Sequence, residues 1–115
     1  MGATALTEPA FFVLTALAGG PRHGYAIVGE VAALSKDRVK LKVGTLYGVL
    51  DRLVGDGLAE PDRDEVHEGR LRRYYRLTDA GHHTLAEEAA RQASNARIAN
   101  ARLRAWRART HGGPA

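Results

Sequence analysis

The chain has 115 residues, the length of one domain, and 44% of them are hydrophobic, enough to bury one core. It contains no cysteine, which excludes a disulfide scaffold, a cysteine zinc site and thiol catalysis. The formal net charge of +4 favours an anionic partner, with nucleic acid first, and the lack of an apolar run long enough to span a membrane predicts a cytoplasmic protein without a membrane partner.

Two apolar helices are predicted in the first third of the chain. Thr7 is suited to cap the first one, and residues 10–18 are apolar almost all round, so this helix should be largely buried. Two glycines followed by Pro21 stop it. The second helix is predicted over residues 24–34, where Ile, Val and Leu recur at a spacing of three to four.

The next segment predicts a very short strand and then a third helix. Val39 and Leu41 are the apolar positions of the otherwise polar segment 35–42, an alternation that suits a strand. The third helix is predicted from about Gly44 to Asp56. Its leucines form a narrow core stripe, and small or polar residues occupy the opposite side.

A β-hairpin is predicted after the third helix. Its strands are expected over residues 58–63 and 70–77, and the polar segment 64–69 is expected to be the loop between them. Pro61 marks the first strand as an edge strand or as a strand with a kink.

Alternation along the second strand of this hairpin separates its apolar residues from most of its arginines. Leu71, Tyr75 and Leu77 are expected on the inner face, with Arg73 on the same side near the tip. The outer face is expected to carry Arg70, Arg72, Tyr74 and Arg76.

A last helix is predicted from a cap at Thr78 to about residue 109, a length of roughly 45 Å. Such a helix is too long to pack along its whole length on so small a domain, so it needs a partner. A seam of residues at alternating spacings of three and four favours a coiled-coil contact. The seam comprises His82, Leu85, Ala89, Gln92, Ala96, Ala99, Leu103 and Trp106. We expect a homodimer through Leu85, Ala89, Ala96, Ala99, Leu103 and Trp106, helped by Phe11 and Leu14 of the first helix.

This order of elements is that of a winged helix-turn-helix. The sequence therefore predicts a mainly α fold with a small β-hairpin, in which residues 1–78 form a DNA-binding domain. Residues 79–115 are predicted to form a long C-terminal dimerisation helix and a short tail. The expected partner is double-stranded DNA with a palindromic operator, because a twofold-symmetric dimer presents two equal heads.

The candidate DNA-contacting residues lie in three places. Small and polar residues on the third helix would let its backbone approach the major groove. Arginines of the hairpin suit phosphate contacts or insertion into the minor groove, and Tyr25 at the start of the second helix is suited to clamp a phosphate. The full set is Tyr25, Lys42, Gly44, Thr45, Tyr47, Gly48, Arg52, Arg70, Arg72 and Arg73.

These residues also have structural interpretations. Gly48 would pack against another helix, and Arg52 would be a solvated surface charge. The hairpin arginines would pair with the acidic residues of 64–69. Tyr25 would pack in the core, with His23 as the cap of the second helix. On those interpretations the chain is a winged-helix module that binds a protein and never touches DNA.

Catalysis has little support in the sequence. The adjacent His82 and His83 would point about 100° apart on a helix, so they cannot both face one metal ion. The acidic residues of segment 64–69 lie in a polar loop without a partner base. No catalytic residue, metal site or cofactor is predicted.

Several motifs together resemble the PadR family of bacterial transcriptional regulators. They are Leu6-Thr7-Glu8, the segment Gly20-Pro21-Arg22-His23-Gly24-Tyr25, the segment Val43-Gly44-Thr45-Leu46-Tyr47, and the run from Arg72-Arg73-Tyr74-Tyr75 to Gly81. The resemblance covers about residues 6–81 in order and spacing. Gly48 departs from the family pattern, in which many relatives carry Pro, Ala or a larger residue at this position.

The resemblance implies a dimeric winged helix-turn-helix repressor that releases DNA when a small, often aromatic, molecule binds. The single C-terminal helix looks like the smaller subclass, in which that helix builds the dimer. By analogy with the family, Tyr25, the residues around Gly44 and the hairpin arginines face DNA. Trp106 and Leu103 are the candidate effector contacts, although an interface anchor is the alternative for the tryptophan.

Overall fold

A computed structural model describes residues 6–111 of the chain. It contains four helices, α1 (Glu8–Ala18), α2 (Gly24–Leu34), α3 (Val43–Gly55) and α4 (Asp79–His111). Three strands, β1 (Arg22–His23), β2 (Ala59–His67) and β3 (Arg70–Leu77), form one antiparallel sheet in the order β1-β3-β2. The predicted stop of the last helix at residues 112–114 lies outside the described residues.

Helix α1 is capped and buried as its sequence predicts. The Thr7 hydroxyl accepts a hydrogen bond from the Ala10 amide at 3.2 Å, and a proline occupies the first turn. Four of its residues, Val13, Leu14, Ala16 and Leu17, lie in the core with α2 and α3. Leu14 is 0% exposed, so its side chain is committed to the core of its own chain. The prediction that Leu14 takes part in the dimer contact is therefore wrong.

The segment between α2 and α3 is a turn, so the strand predicted within residues 35–42 is absent. Lys36 and Asp37 have φ values of 54° and 64°, in the left-handed region, which reverses the chain after α2. The buried Ser35 hydroxyl accepts a hydrogen bond from the Val39 amide at 2.9 Å, which replaces a strand partner. Val39 is buried, but it lies in a loop and not in a strand. The third strand of the sheet is β1, directly before α2, which the sequence did not reveal.

The hairpin of β2 and β3, called the wing below, is longer than predicted. Its connection is only Glu68 and Gly69, not the whole of residues 64–69. Both residues have positive φ, 52° and 77°, as a two-residue hairpin turn requires. Edge strand β2 has a register shift between Pro61 and Asp64, consistent with the kink expected at the proline.

The inner face of the wing is apolar only near its base. Tyr75 is buried and Leu77 packs against the core, as predicted. Leu71 is 64% exposed, so its predicted inward position does not bring it into the core. The physical reason is the length of the hairpin, which carries Leu71 and its cross-strand partner Val66 beyond the last core residue.

Helix α4 begins on the core and then leaves it. The Thr78 hydroxyl accepts a hydrogen bond from the Gly81 amide at 2.9 Å, as expected of a cap. Gly81 is buried against Leu58, and Leu85 packs against the core. The helix has 33 residues, about 50 Å. Between residues 86 and 110 only Glu88 is buried, beneath Arg91 and Gln92.

No helix within residues 6–111 has both the length and the apolar character needed to cross a membrane. Over the same residues, no three His, Asp or Glu side chains come together in a way that could hold a metal ion.

Candidate nucleic-acid interface

The side of helix α3 that points away from the core is exposed and carries small residues; it is called the open face below. The leucines of α3, Leu46, Leu50 and Leu53, are buried, so the opposite side of the helix points away from the core. Gly44 and Gly48 lie on that opposite side, and a Cβ atom at either would meet no atom within 4 Å. Gly48 therefore does not pack against another helix, and the structural interpretation of this residue is wrong. The backbone of the first two turns of α3 is open to close approach.

Polar residues border this glycine line. Thr45 and Arg52 are exposed and share a shallow depression with Gly48, Val49 and Thr7. Arg52 has no carboxylate within 4.0 Å among the described residues. Lys42 is the exposed residue before α3, and its side chain forms no cap hydrogen bond. Two cationic side chains thus lie near the two ends of the open face.

The start of α2 lies beside the wing because β1 leads directly into it. Arg22 pairs with Tyr75 and His23 pairs with Tyr74, so β1 extends the sheet at the edge of β3. Gly24 then begins α2. This connection places the first turn of α2 next to the arginines of β3.

The first turn of α2, helix α3 and the wing enclose a cavity of about 120 Å³, called the wing cavity below. Its lining includes His23, Tyr25, Tyr47, Arg70, Arg72 and Arg73, and no acidic residue. The structure thus brings together five of the predicted DNA-contacting residues from three separate parts of the chain. It does not bring Lys42, Thr45 or Arg52 into the cavity, because they lie along α3.

The two tyrosines of the wing cavity point outward to different degrees. Tyr25 is 64% exposed, which excludes its packing in the core. Tyr47 is 38% exposed, and its hydroxyl oxygen would lie 2.7 Å from a Cβ atom at Gly24. The absence of a side chain at Gly24 therefore lets Tyr47 rest against the start of α2. Both phenolic rings border the cavity.

His23 belongs to this cavity, although it was not among the predicted DNA contacts. His23 is the N-cap residue of α2, as the structural interpretation had it, but its side chain makes no cap hydrogen bond. The ring meets Tyr74 edge to face at 5.3 Å, and Nε2 lies 3.4 Å from Nη1 of Arg72. Burial, and then the positive charge of Arg72, lower the pKa of His23. The sequence signal that could have placed His23 in this cavity is its position two residues before Tyr25.

The arginines of the wing differ in their partners. Arg73 donates through Nε to Asp64 at 3.3 Å, and Arg76 donates to Glu60 at 2.7 Å and to Asp62 at 3.1 Å. The hydrogen bond from Arg73 to Asp64 raises the pKa of Arg73. The interpretation that wing arginines pair with the acidic residues of 64–69 thus holds for Arg73, whereas the partners of Arg76 lie earlier on β2.

Arg70 and Arg72 are different, because neither has a carboxylate within 4.0 Å in the described part of the chain. Arg72 is half-buried beside His23, and Arg70 is exposed near the wing tip. Their positive charge is therefore not neutralised within the chain, and both face the wing cavity.

The α1–α3 core, the antiparallel wing and the open face of α3 define a winged helix-turn-helix protein. The family model for PadR-like transcriptional regulators matches residues 13–87, from α1 into the first part of α4. The chain belongs to this family.

Individual relatives agree with this assignment. The chain is 41% identical over 66 residues to a transcriptional regulator of Mycobacterium tuberculosis, a match that covers 57% of this chain and 58% of that protein. A PadR family transcriptional regulator from Eggerthella lenta superposes with a TM-score of 0.65 at 26% identity, covering 84% of each chain. Bacillus subtilis PadR in complex with operator DNA has the same fold, with a TM-score of 0.60 at 23% identity, covering 68% of this chain and 44% of that one. The match spans 21%, 61% and 58% of the three curated relatives.

Proposed function

We propose that the protein is a homodimeric, sequence-specific DNA-binding repressor, and that the open face of α3 reads the major groove. The observation that carries this proposal is the convergence of α2, α3 and the wing on one cationic side of the molecule. A repressor of this kind acts on chromosomal DNA, so we also propose a cytoplasmic location.

Contacts to the DNA backbone follow from the wing cavity. Guanidinium groups donate several hydrogen bonds in a fixed geometry that matches phosphate. Arg70 and Arg72 would not have to break an ion pair with a carboxylate of the described residues in order to bind one. The Tyr25 and Tyr47 hydroxyls add donors at the start of α2, where the backbone amides also favour an anion. Phosphates of one DNA strand would lie across this side, with the wing toward the adjacent minor groove.

Base recognition is assigned to α3. The line of Gly44 and Gly48 lets the helix backbone approach base edges, and Thr45 and Arg52 flank that line. An arginine suits the O6 and N7 acceptors of guanine, and a threonine methyl group suits the methyl group of thymine. Lys42 would hold a phosphate at the groove edge.

A homodimer through α4 supplies the second recognition helix. Leu103 and Trp106 are 51% and 50% exposed, and Ala89, Ala96 and Ala99 of the predicted seam are also exposed. A second copy would bury this surface, with Leu85 and the half-buried Phe11 at its edge. The two recognition helices would then enter successive major grooves, with half-sites about 10 bp apart or a multiple of that distance.

An effector would act through the same interface. We place its contacts near Leu103 and Trp106, where an aromatic molecule between two α4 helices would change the separation of the DNA-binding heads. Because the spacing of the grooves is fixed, a small change of separation would weaken several contacts at once.

The operator complex of Bacillus subtilis PadR supports this proposal by fold, and a gel shift with the region upstream of the gene tests it. At about 50 mM and 200 mM salt, the wild type should bind with an affinity that falls steeply as salt rises. Replacing both Arg72 and Arg73 with alanine should weaken binding to every sequence and reduce the salt slope. Failure of the folded wild type to bind any duplex would favour the rival function, a winged-helix module for protein interaction.

A further inference from the structure

His23 occupies the wall of the wing cavity at the point where the sheet turns into α2. Its imidazole approaches the guanidinium of Arg72 at 3.4 Å, between Nε2 and Nη1. A guanidinium can only donate, so Nε2 must accept in this contact, and the ring proton then lies on Nδ1. The weak hydrogen bond therefore requires a neutral His23 in the DNA-free protein.

The charged and titratable groups around His23 come from every element that packs against it. Strand β3 supplies Arg72 and the ring of Tyr74, and strand β2 supplies Glu65 and His67. Helices α2 and α3 contribute the phenols of Tyr25 and Tyr47 to the same cavity.

Burial is the largest cause of the lowered pKa of His23, and the positive charge of Arg72 is the second. The Glu65 carboxylate already accepts a hydrogen bond from Arg63 at 2.8 Å, so its negative charge is partly neutralised by that guanidinium. Burial, Arg72 and His67 all lower the pKa of His23, and Glu65 alone opposes them. What the cavity lacks is a negative charge, and none of its lining residues supplies one.

We propose that His23 is a phosphate-binding residue of the DNA interface and that it binds in its protonated form, so that DNA binding takes up a proton. A phosphate oxygen entering between His23 and Arg72 would neutralise the guanidinium charge that disfavours the imidazolium. Nε2 would then carry a proton from solvent and donate it in a hydrogen bond to that oxygen. The inference rests on the proposed function, because it requires that this side of the molecule meets the DNA backbone.

The proposed proton uptake by His23 determines how the affinity for DNA depends on pH. DNA binding raises the pKa of His23 from its lowered value, so the DNA-bound state holds more protons than the DNA-free state at intermediate pH. Affinity for DNA should therefore rise as pH falls through this range. The limit is one proton per His23, about tenfold in Kd for each pH unit per bound protomer, and therefore about a hundredfold for a dimer that binds through both copies.

Fluorescence anisotropy with a labelled duplex of arbitrary sequence tests the inference, because a phosphate contact does not depend on base sequence. At constant ionic strength, between about pH 5.5 and 8, wild-type Kd should fall as pH falls. The variant His23→Gln should lose most of this dependence. His67→Gln is the matched control at the nearest other histidine of the wing, and it should keep it.

Proton NMR of the His23 ring in the wild type, with and without the same duplex, gives a readout that does not depend on a variant. The pKa of His23 should rise on DNA binding. An unchanged pKa, or a wild-type Kd that does not vary with pH, would overturn the inference and leave the proposed function standing. Absence of DNA binding at every pH would instead remove the proposed function itself.

Discussion

The substitution Gly48→Ala separates the stability of α3 from its reading of DNA. A Cβ atom at Gly48 would meet no atom within 4 Å, so the new methyl group costs no packing energy. Alanine is favoured over glycine in a helix interior by about 1 kcal/mol. The variant should therefore be more stable than the wild type, with Tm higher by roughly 4 °C at equal protein concentration.

DNA binding should change in the opposite direction. If base edges approach the backbone of α3 at Gly48, a methyl group there holds the helix away from the groove floor. Loss of one good base contact costs about 1–3 kcal/mol, which is roughly a five- to 160-fold weaker operator affinity for each half-site. Affinity for a duplex of unrelated sequence should change less, because the wing and α2 supply most phosphate contacts.

Thermal unfolding followed by circular dichroism and operator titration by anisotropy measure the two effects. Gly55→Ala is the matched control, because Gly55 is equally open but ends the same helix two turns further on. It should leave operator affinity unchanged. A Gly48→Ala variant that is more stable and binds the operator as tightly as the wild type would refute the assignment of this face to base reading.

Three further substitutions test other parts of the account. Gly81→Ala places a Cβ atom in steric conflict with the carbonyl oxygen of Leu58, so α4 must shift from the core; urea unfolding should show the free energy of unfolding reduced by about 1–3 kcal/mol, and a wild-type midpoint would contradict the tight contact. Asp64→Asn releases Arg73 for phosphate, so non-specific DNA affinity should rise and the salt slope should steepen by up to about 0.9; an unchanged slope in a salt titration would show that this arginine does not reach DNA. Leu103→Glu puts a charge in the exposed α4 seam, and sedimentation should give a monomer mass with unchanged helicity; a dimer mass would place the interface elsewhere.

Much of the fold could be predicted because its helices carry strong local signals. Thr7 and Thr78 cap helices from the positions where their sequences place them, and the leucines of α3 mark its buried side. Strand β1 could not be predicted, because two residues are too few for a periodic pattern and their pairing with β3 is a tertiary contact. The strand expected within 35–42 failed because the Ser35 hydroxyl satisfies a backbone amide locally.

The extent of the wing could not be predicted from the sequence, for a different physical reason. Residues 64–69 look like a polar loop, yet residues 64–67 belong to strand β2, where Asp64 pairs with Arg73 across the hairpin and Glu65 pairs with Arg63 on the same strand. Local polarity cannot distinguish a loop from a strand that is solvated on both faces. The assignment of Leu14 to the dimer contact failed for another reason: an all-apolar helix is expected to be buried, but its sequence does not reveal which side faces its own core.

The excess positive charge of the chain is unevenly distributed. The sequence carries six arginines and no acidic residue over residues 89–115, so the positive surplus of the chain lies in the later part of α4 and not in the proposed DNA interface. Within the wing the acidic residues of β2 engage Arg73 and Arg76, and the wing charge that is not neutralised belongs to Arg70 and Arg72. Geometry, not the overall charge, supports DNA binding.

The most direct test of the central claim is the mass and affinity of the complex with DNA from the region upstream of the gene. Analytical ultracentrifugation of the intact chain with a labelled duplex gives the number of chains bound, and competition with unrelated duplex gives the specificity. The account predicts two chains for each operator and an affinity at least about a thousandfold above that for unrelated DNA. A single chain on the duplex, or equal affinity for both sequences, would contradict it.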